Sequence, residues 1–225
     1  MNIMERDKIA FFDFCETLAN FQTADAFVDF VRKKSNRKRM QLLENLQKVF
    51  KSTRIIYIIQ ILIKKRYPVN KCLKLYQLKG FSISEIDSYA KDYYYSVVKP
   101  NLIPRLIQEL LQLKSEGWKI VLVSGGYDVY LHEFAKDYGV DDVISTSISF
   151  HNGVCTGRMN GPDCLGVNKV VLLDKLYKRD NIISKSFSDS ISDIPFLRWT
   201  DESYVVSRSK SQTWADQYKF KEIIW

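Results

Sequence analysis

Apolar residues follow two different rhythms along this chain, and the change comes near residue 100. Before it, only the short run Ala10-Phe11-Phe12 has the unbroken apolar character of a buried strand. Helical spacing follows over Ala24–Val31, and again from Met40 to Phe50 through Leu42, Leu43, Leu46 and Val49. Ile55 to Ile63 is almost wholly apolar, interrupted by Tyr57 and Gln60. Ser82-Ile83-Ser84-Glu85 has capping-box form and opens a helix predicted to reach about Val98, ahead of Pro100. This makes a helical insert of roughly eighty residues, far longer than an ordinary loop.

From Leu102 onward helix and strand alternate. A helix is predicted from Pro104 to Gly117, a strand at Ile120–Val123, a helix from about Val129 to Tyr138 closed by Gly139, and a strand near Val143–Ser145. Ser147 to Cys155 reads as a hairpin turning at Asn152-Gly153. A helix around Lys169, a short strand running into Asp189, a helix near Pro195–Trp199 and a last strand at Tyr204–Val206 complete the pattern. Strands alternating with helices imply an α/β fold with a doubly wound parallel sheet.

Composition narrows the class. At 225 residues with 46% hydrophobic content, the chain can bury a full α/β core and carry a smaller accessory unit. The N-terminus lacks the apolar stretch of a signal peptide and no segment reaches the roughly 20 apolar residues of a membrane span, so a cytoplasmic location is expected. Cys15, Cys72, Cys155 and Cys164 show no C-x-x-C spacing, which speaks against zinc and against a disulfide framework.

The formal charge is +8, but residues 32–74 hold 14 Lys and Arg against the single acid Glu44, so this stretch carries the whole positive excess. It could form an anion-collecting mouth, or lie on an anionic membrane surface, since Arg54 and Lys64-Lys65-Arg66 flank the apolar run at 55–63. That run could equally be a buried helix of the insert. Nucleic acid is disfavoured, because the basic residues lack interleaved aromatics or a known binding module.

Four segments carry candidate chemistry. Ala10-Phe11-Phe12-Asp13 delivers a carboxylate at the end of an apolar strand, with Thr17 four residues on; it could be a nucleophile or simply a helix cap. Val123-Ser124-Gly125-Gly126 ends a second strand in a hydroxyl and two glycines, which suits close approach to an anion and also an ordinary strand-to-helix turn. Lys169 stands in a first helical turn, against the helix dipole, as it would facing an anion or as a solvated surface residue. Ser188-Asp189-Ser190-Ile191-Ser192-Asp193 places two carboxylates four apart in an oxygen-rich loop suited to Mg²⁺, with capping at Asp193 ahead of Pro195 as the alternative.

In this order the four segments resemble the motif set of the haloacid dehalogenase superfamily, in its phosphoserine phosphatase-like branch. The pattern there is Asp-x-Asp-x-Thr, a strand ending in Ser, a Lys, and Gly-Asp-x-x-x-Asp. The resemblance covers residues 1–19 and 100–225 as a catalytic core, and places residues 20–99 as an inserted helical cap. It implies a Mg²⁺-dependent phosphatase acting through an aspartyl-phosphate on a small phosphorylated substrate; with the basic stretch at 32–74, a peripheral-membrane lipid-phosphate phosphatase is the alternative. Asp13 would be the nucleophile; Thr17, Ser124, Gly125 and Lys169 would hold the phosphate; Asp13, the backbone carbonyl of Cys15, Asp189 and Asp193 would serve the metal.

Two positions depart from the pattern. Cys15 stands where the family has its general acid/base aspartate, and Ser188 replaces a glycine. A thiol is a poor donor with an ordinary pKa near 8.5, and the lost acid/base help is typically worth ~10²–10⁴-fold. A slow enzyme, a substrate whose leaving group needs little protonation, substitution by Glu16, or a weakly catalytic phospho-ligand-binding protein would each follow. Phosphoserine phosphatases use a glutamate shortly after the first motif to meet the substrate amine; Gln22 occupies that place, which disfavours phosphoserine itself.

Overall fold

The computed structural model describes residues 6–52 and 68–225. The apolar run at 55–63 lies outside them. Six parallel strands form the central sheet: β1 (Asp7–Phe12), β2 (Lys119–Tyr127), β3 (Asp142–Thr146), β6 (Ile182–Ser188), β7 (Glu202–Ser207) and β8 (Lys221–Ile224), in the order β3-β2-β1-β6-β7-β8. The short strands β4 (Ile148–His151) and β5 (Val154–Met159) make the expected hairpin, with Asn152 and Gly153 both at positive φ as its tight turn demands.

Strand periodicity explains the layering. Along β1, Ala10 and Phe12 face one apolar cluster while Ile9 and Phe11 face another, so both sides of the sheet are buried. One cluster gathers Val121, Val123, Leu173, Phe196 and Trp199. The other takes Leu122, Tyr127, Tyr130 and Phe134 together with side chains of the helical insert. Across the sheet Phe12, Phe187 and Tyr204 stand in register, with ring centroids 4.2 and 4.7 Å apart. This ladder aligns the ends of β1 and β6, where Asp13 N donates to Phe187 O at 2.9 Å.

The insert is helical where it is described: α1 (Thr23–Ser35), α2 (Lys38–Ser52), α3 (Val69–Tyr76) and α4 (Ile83–Tyr93). The capping box at Ser82 and Glu85 is present. Beyond Tyr93 the helix widens into a π-helical turn, Tyr94–Val98, instead of continuing as α. α5 (Pro104–Ser115) then leads to β2, α6 (Asp128–Tyr138) follows it with Gly139 as its left-handed cap, and α7 (Val167–Leu176), α8 (Ile194–Leu197) and α9 (Thr213–Gln217) complete the set. Beyond the expected strand at Tyr204–Val206 the fold adds α9 and β8, which the hydropathy pattern does not predict. The latter is a four-residue edge strand with a half-buried, charge-containing sequence, too short to show a period.

Phe27 and Tyr93 of the insert pack on Tyr130 at ring-centroid distances of 5.4 and 5.3 Å, so the insert shares one apolar cluster with the sheet. The basic run does not remain a free field of charge. Arg32 pairs with Asp29, Lys34 with Asp92 and Arg37 with Glu85, carboxylates that lie outside residues 32–74 in sequence. Among the described residues no helix is long and apolar enough to cross a membrane.

At the centre of the insert Lys74 Nζ lies 2.7 Å from Asp29 Oδ1 and 2.9 Å from Glu44 Oε2, and Gln77 Nε2 donates to the same Glu44 oxygen at 2.9 Å. Burial works against the Glu44 charge, but the Gln77 and Lys74 hydrogen bonds outweigh it and pull the carboxyl down to about 2. Because the folded value is the lower one, the stability Glu44 contributes is present above its ordinary pKa and fades as pH falls towards about 2. Lys74→Met should therefore destabilise the protein by about 3 kcal/mol, since it leaves a buried carboxylate without its cation. Urea unfolding at neutral pH would show this as a lowered midpoint, and an unshifted midpoint would mean that the pair is structurally idle.

Candidate active site

The first reactive position follows directly from the strand. β1 runs apolar to Phe12, and the next residue, Asp13, emerges at its carboxyl end with 6% of its surface exposed. The chain then turns tightly: Leu18 N and Ala19 N both donate to Phe14 O at 2.9 Å, and Glu16 takes a left-handed φ of 57°. That turn brings Thr17 back under Asp13. Its hydroxyl lies 3.3 Å from Asp13 Oδ2 and 3.0 Å from Asp189 Oδ1, and it accepts from Asp189 N at 3.1 Å.

Lys169 comes from the start of α7. Gly166 precedes the helix at φ 53°, where an added Cβ would crowd Ser192 O at 3.2 Å, so the entry to α7 requires glycine. The Lys169 side chain is buried, with Nζ 2.9 Å from Asp13 Oδ1 and 2.5 Å from Asp193 Oδ2. Burial opposes the ammonium charge, but the Asp13 and Asp193 carboxylates outweigh it and hold the pKa above the ordinary lysine value. The solvated-surface alternative for Lys169 is thereby excluded. Asp193 also accepts from Ser188 Oγ at 2.7 Å, while its Oδ1 is buried with no hydrogen-bond partner. Ser188 thus does its work through a side chain, one that the family's glycine would not have.

Around Asp13 opens a cavity of about 350 Å³, lined by Asp13, Cys15, Asp189 and Lys169 from the core and by Asp25, Asn70 and Lys71 from the insert, among others. Gly125 lines it too, and its missing side chain matters because a Cβ there would meet Leu165 Cγ at 2.9 Å. Ser124 and Thr17 do not line it. Both are fully buried; Ser124 Oγ accepts from Gly126 N at 3.1 Å, and Thr17 is committed to the two carboxylates. Thr17 Oγ1 thus bridges the two carboxylates, and Ser124 Oγ accepts from the backbone at the end of β2.

Cys15 is buried, with Sγ 3.0 Å from Thr23 Oγ1; Thr23 in turn lies 2.7 Å from Tyr130 OH, which accepts from Tyr127 N at 3.0 Å. Burial, reinforced by the charge of Asp13, pushes the thiol above its ordinary value. It is therefore a neutral thiol at neutral pH and an ineffective base. Glu16 is exposed, and Gln22 Nε2 donates to its carboxylate, so both sit at the rim of the cavity.

The fit to a divalent cation can be judged from the donors. Burial pushes the Asp13 carboxyl up, with Lys169 drawing it back, and Asp189 is raised to about 7 by burial and by the charge of Asp13. Asp13 and Asp189, joined by the Thr17 hydroxyl, together with Asp193, whose Oδ1 has no partner, bring three carboxylates against the single ammonium of Lys169, a hard-oxygen site with net negative charge. Among the described residues no three His, Cys, Asp or Glu side chains converge as a cage. An ion that keeps several of its waters fits such a site better than one that needs a full set of protein ligands.

Sequence reasoning overlooked Lys71, Asp163, Thr23 and Tyr130. For Lys71 a signal was available: it stands in the first turn of α3, after Pro68 and with no acid beside it, the same opposition to the helix dipole that singles out Lys169. The other three carry no local signal.

The model of haloacid dehalogenase-like hydrolases matches residues 10–198, and the chain belongs to that family. Among its relatives, the glycerol-3-phosphate acyltransferase RAM2 of Petunia hybrida is 30% identical over 129 residues, covering 56% of this chain and 26% of that protein. The phosphoserine phosphatase of Lactococcus lactis is 33% identical over 91 residues, 38% of this chain and 41% of the relative. The chain thus spans less than half the length of either. A solved structure of a Bordetella pertussis Tohama I protein of unknown function superposes with a TM-score of 0.77 at 17% identity, covering 97% of this chain and 99% of the other.

Proposed function

We propose that the chain is a Mg²⁺-dependent phosphomonoesterase acting on a small phosphorylated metabolite through an aspartyl-phosphate on Asp13. The observation that carries this reading is the convergence of Asp13, Lys169, Asp189 and Asp193 from three separate segments onto one cavity. An oxygen of Asp13 forms a bond to phosphorus while the ester P–O bond breaks and the alcohol leaves with a proton taken from solvent. Water later attacks phosphorus, breaks its bond to the Asp13 oxygen and gives up a proton to solvent, releasing inorganic phosphate and regenerating the carboxylate. Lys169 holds the Asp13 carboxylate in position and supplies charge to the transferring group. Asp193 fixes the lysine from its other side. Asp13 and Asp189 would hold Mg²⁺, which supplies the charge neutralisation that lets a carboxylate approach a phosphate dianion. Gly125 lines the cavity at the end of β2, with Leu165 packed on the face a side chain would occupy.

Incubation with a panel of phosphorylated metabolites and Mg²⁺ tests the proposal; no phosphate release from any member would sink it. The same site predicts a pH effect. Since the folded Asp189 carboxyl is raised to about 7 by burial and by Asp13, the metal-free protein should lose stability as pH rises through this value, and Mg²⁺ affinity should increase over the same range. Thermal melts with and without Mg²⁺ between about pH 5 and 8 would show stabilisation by the metal growing with pH. Stabilisation that is independent of pH, or unchanged in Asp189→Asn, would count against the assigned ligands.

A second reading, a phospho-ligand-binding protein with slow turnover, is favoured by one observation. The Cys15 thiol is buried, neutral and bonded to Thr23, so it cannot serve as an effective acid/base for the leaving group. Detectable binding of phosphorylated ligands without release of phosphate would support that reading. Liposome co-sedimentation across salt concentrations tests the membrane-surface alternative, because attraction to anionic lipid is screened by salt.

A further inference from the structure

Lys71 enters the active-site cavity from the helical insert, yet its ammonium is not free to meet a ligand. It donates to Gly125 O and to Asp163 Oδ1, and lies 3.1 Å from Thr146 Oγ1, so its three donors have three acceptors. The acceptors belong to three different parts of the core: the end of β2, the end of β3 and the loop that leads into α7. Thr146 closes the node, donating to Asp163 Oδ1 at 2.6 Å and accepting from Cys164 N at 3.1 Å. Asp163 and Thr146 are themselves buried.

This node reaches both walls of the cavity where β2 ends. Gly125 is one wall. Leu165, two residues beyond Asp163, packs against the face of Gly125 that a Cβ would fill, and Leu165 N is held by Asp163 O at 2.8 Å. Asn168 Nδ2 donates to the same Asp163 carbonyl at 2.9 Å, one residue before Lys169. The far end of α3 is anchored independently. Gly80 N donates to Cys155 O at 2.9 Å and Cys155 N to Phe81 O at 2.7 Å, tying the insert to the hairpin by its backbone. With that end fixed, Lys71 is the point at which the helix grips the reacting site.

We infer that Lys71 and Asp163 form a positioning pair that couples the helical insert to the Gly125 loop and to the start of α7. The inference rests on the phosphomonoesterase reading for its kinetic consequences, but not for its structural one. A cation contacting substrate would act on binding. A residue that sets the placement of Gly125 and of the Lys169 helix acts mainly on the transition state, where a displacement of about 1 Å costs on the order of 10²-fold.

The test compares Lys71→Met, the isosteric Asp163→Asn, the double variant and Lys71→Arg in the full chain, with circular dichroism as the control for folding. Hydrogen–deuterium exchange should rise about tenfold or more at residues 124–127 and 163–166 in Lys71→Met and in Asp163→Asn, with little change at the hairpin. With p-nitrophenyl phosphate and Mg²⁺, kcat should fall about 10- to 100-fold in each single variant while KM stays within about threefold. The double variant should be no worse than the poorer single, and Lys71→Arg should recover most of the rate. Unchanged exchange in both single variants would overturn the inference, as would losses that multiply in the double variant or a raised KM with kcat intact. Should Lys71→Met fail to fold, Asp163→Asn carries the same exchange test. A wild-type protein that hydrolyses no phosphate ester would refute the phosphatase reading and still leave the exchange result to decide on Lys71.

Discussion

Asp13→Asn should reduce turnover by on the order of 10⁴-fold or more while the protein stays folded, the scale expected when a nucleophile is removed. The change preserves side-chain volume. It replaces the oxygen that would attack phosphorus, halves the pair that would hold Mg²⁺, and weakens the 2.9 Å contact to Lys169 by removing its charge. The folded state should tolerate it well, because burial already pushes the Asp13 carboxyl up and Asp193 still pairs with the lysine at 2.5 Å. The measurement is single-turnover phosphate release at matched circular dichroism. Wild-type rates in a well-folded Asp13→Asn protein would refute nucleophilic catalysis at this position.

Cys15→Asp should act in the opposite direction and selectively. Thr23 Oγ1 lies 3.0 Å from the thiol and belongs to a chain of hydroxyls running to Tyr130, so an introduced carboxylate would find a donor in place and little need for repacking. Hydrolysis of alkyl phosphates, whose leaving alkoxides need a proton, should rise by about 10²–10⁴-fold. Hydrolysis of p-nitrophenyl phosphate, whose leaving group needs none, should change far less. A gain that is equal for both esters would show that the substitution acts on phosphate binding and not on proton transfer. A loss of activity would show that the neutral thiol is adapted to the natural substrate.

The thiol at Cys15 raises the weight that falls on the Lys71–Asp163 pair. If the acid/base is absent, the rate must come chiefly from positioning and charge, and the residues that hold Gly125 and Lys169 in place then matter more than they would in an enzyme with its full acid/base machinery. The Lys71–Asp163 node is where the structure supplies that placement.

Much of the architecture was legible from hydropathy alone. Ala10–Phe12 and Ile120–Val123 had to be two-faced buried strands, because an apolar residue at every position leaves no side for water, and both are interior strands of the sheet. Asp13 was visible as the first polar residue after such a strand, and Lys169 as a cation placed against a helix dipole. The Asn152-Gly153 hairpin and the Ser82–Glu85 capping box were equally local, since each is decided within four residues. β8 was not, because four half-buried residues at a sheet edge carry too little pattern to be distinguished from a loop.

Tertiary structure alone decided what each candidate touches. Thr17 and Ser124 have the residue types of phosphate ligands, and the fold adds their partners: Asp13 and Asp189 for Thr17, the Gly126 amide for Ser124. The basic run from 32 to 74 has a net charge in sequence that the fold offsets in part among the described residues, because Asp29, Glu85, Asp92 and Asp163 arrive from outside it to pair with Arg32, Arg37, Lys34 and Lys71. Lys71 and Asp163 are 92 residues apart and become one buried pair only when α3 lies across the ends of β2 and β3. Local pattern determines which residues form strands and helices, since burial and capping act over a few positions. Long-range packing determines which charges meet, because a buried ion needs a partner that the chain can supply only from elsewhere.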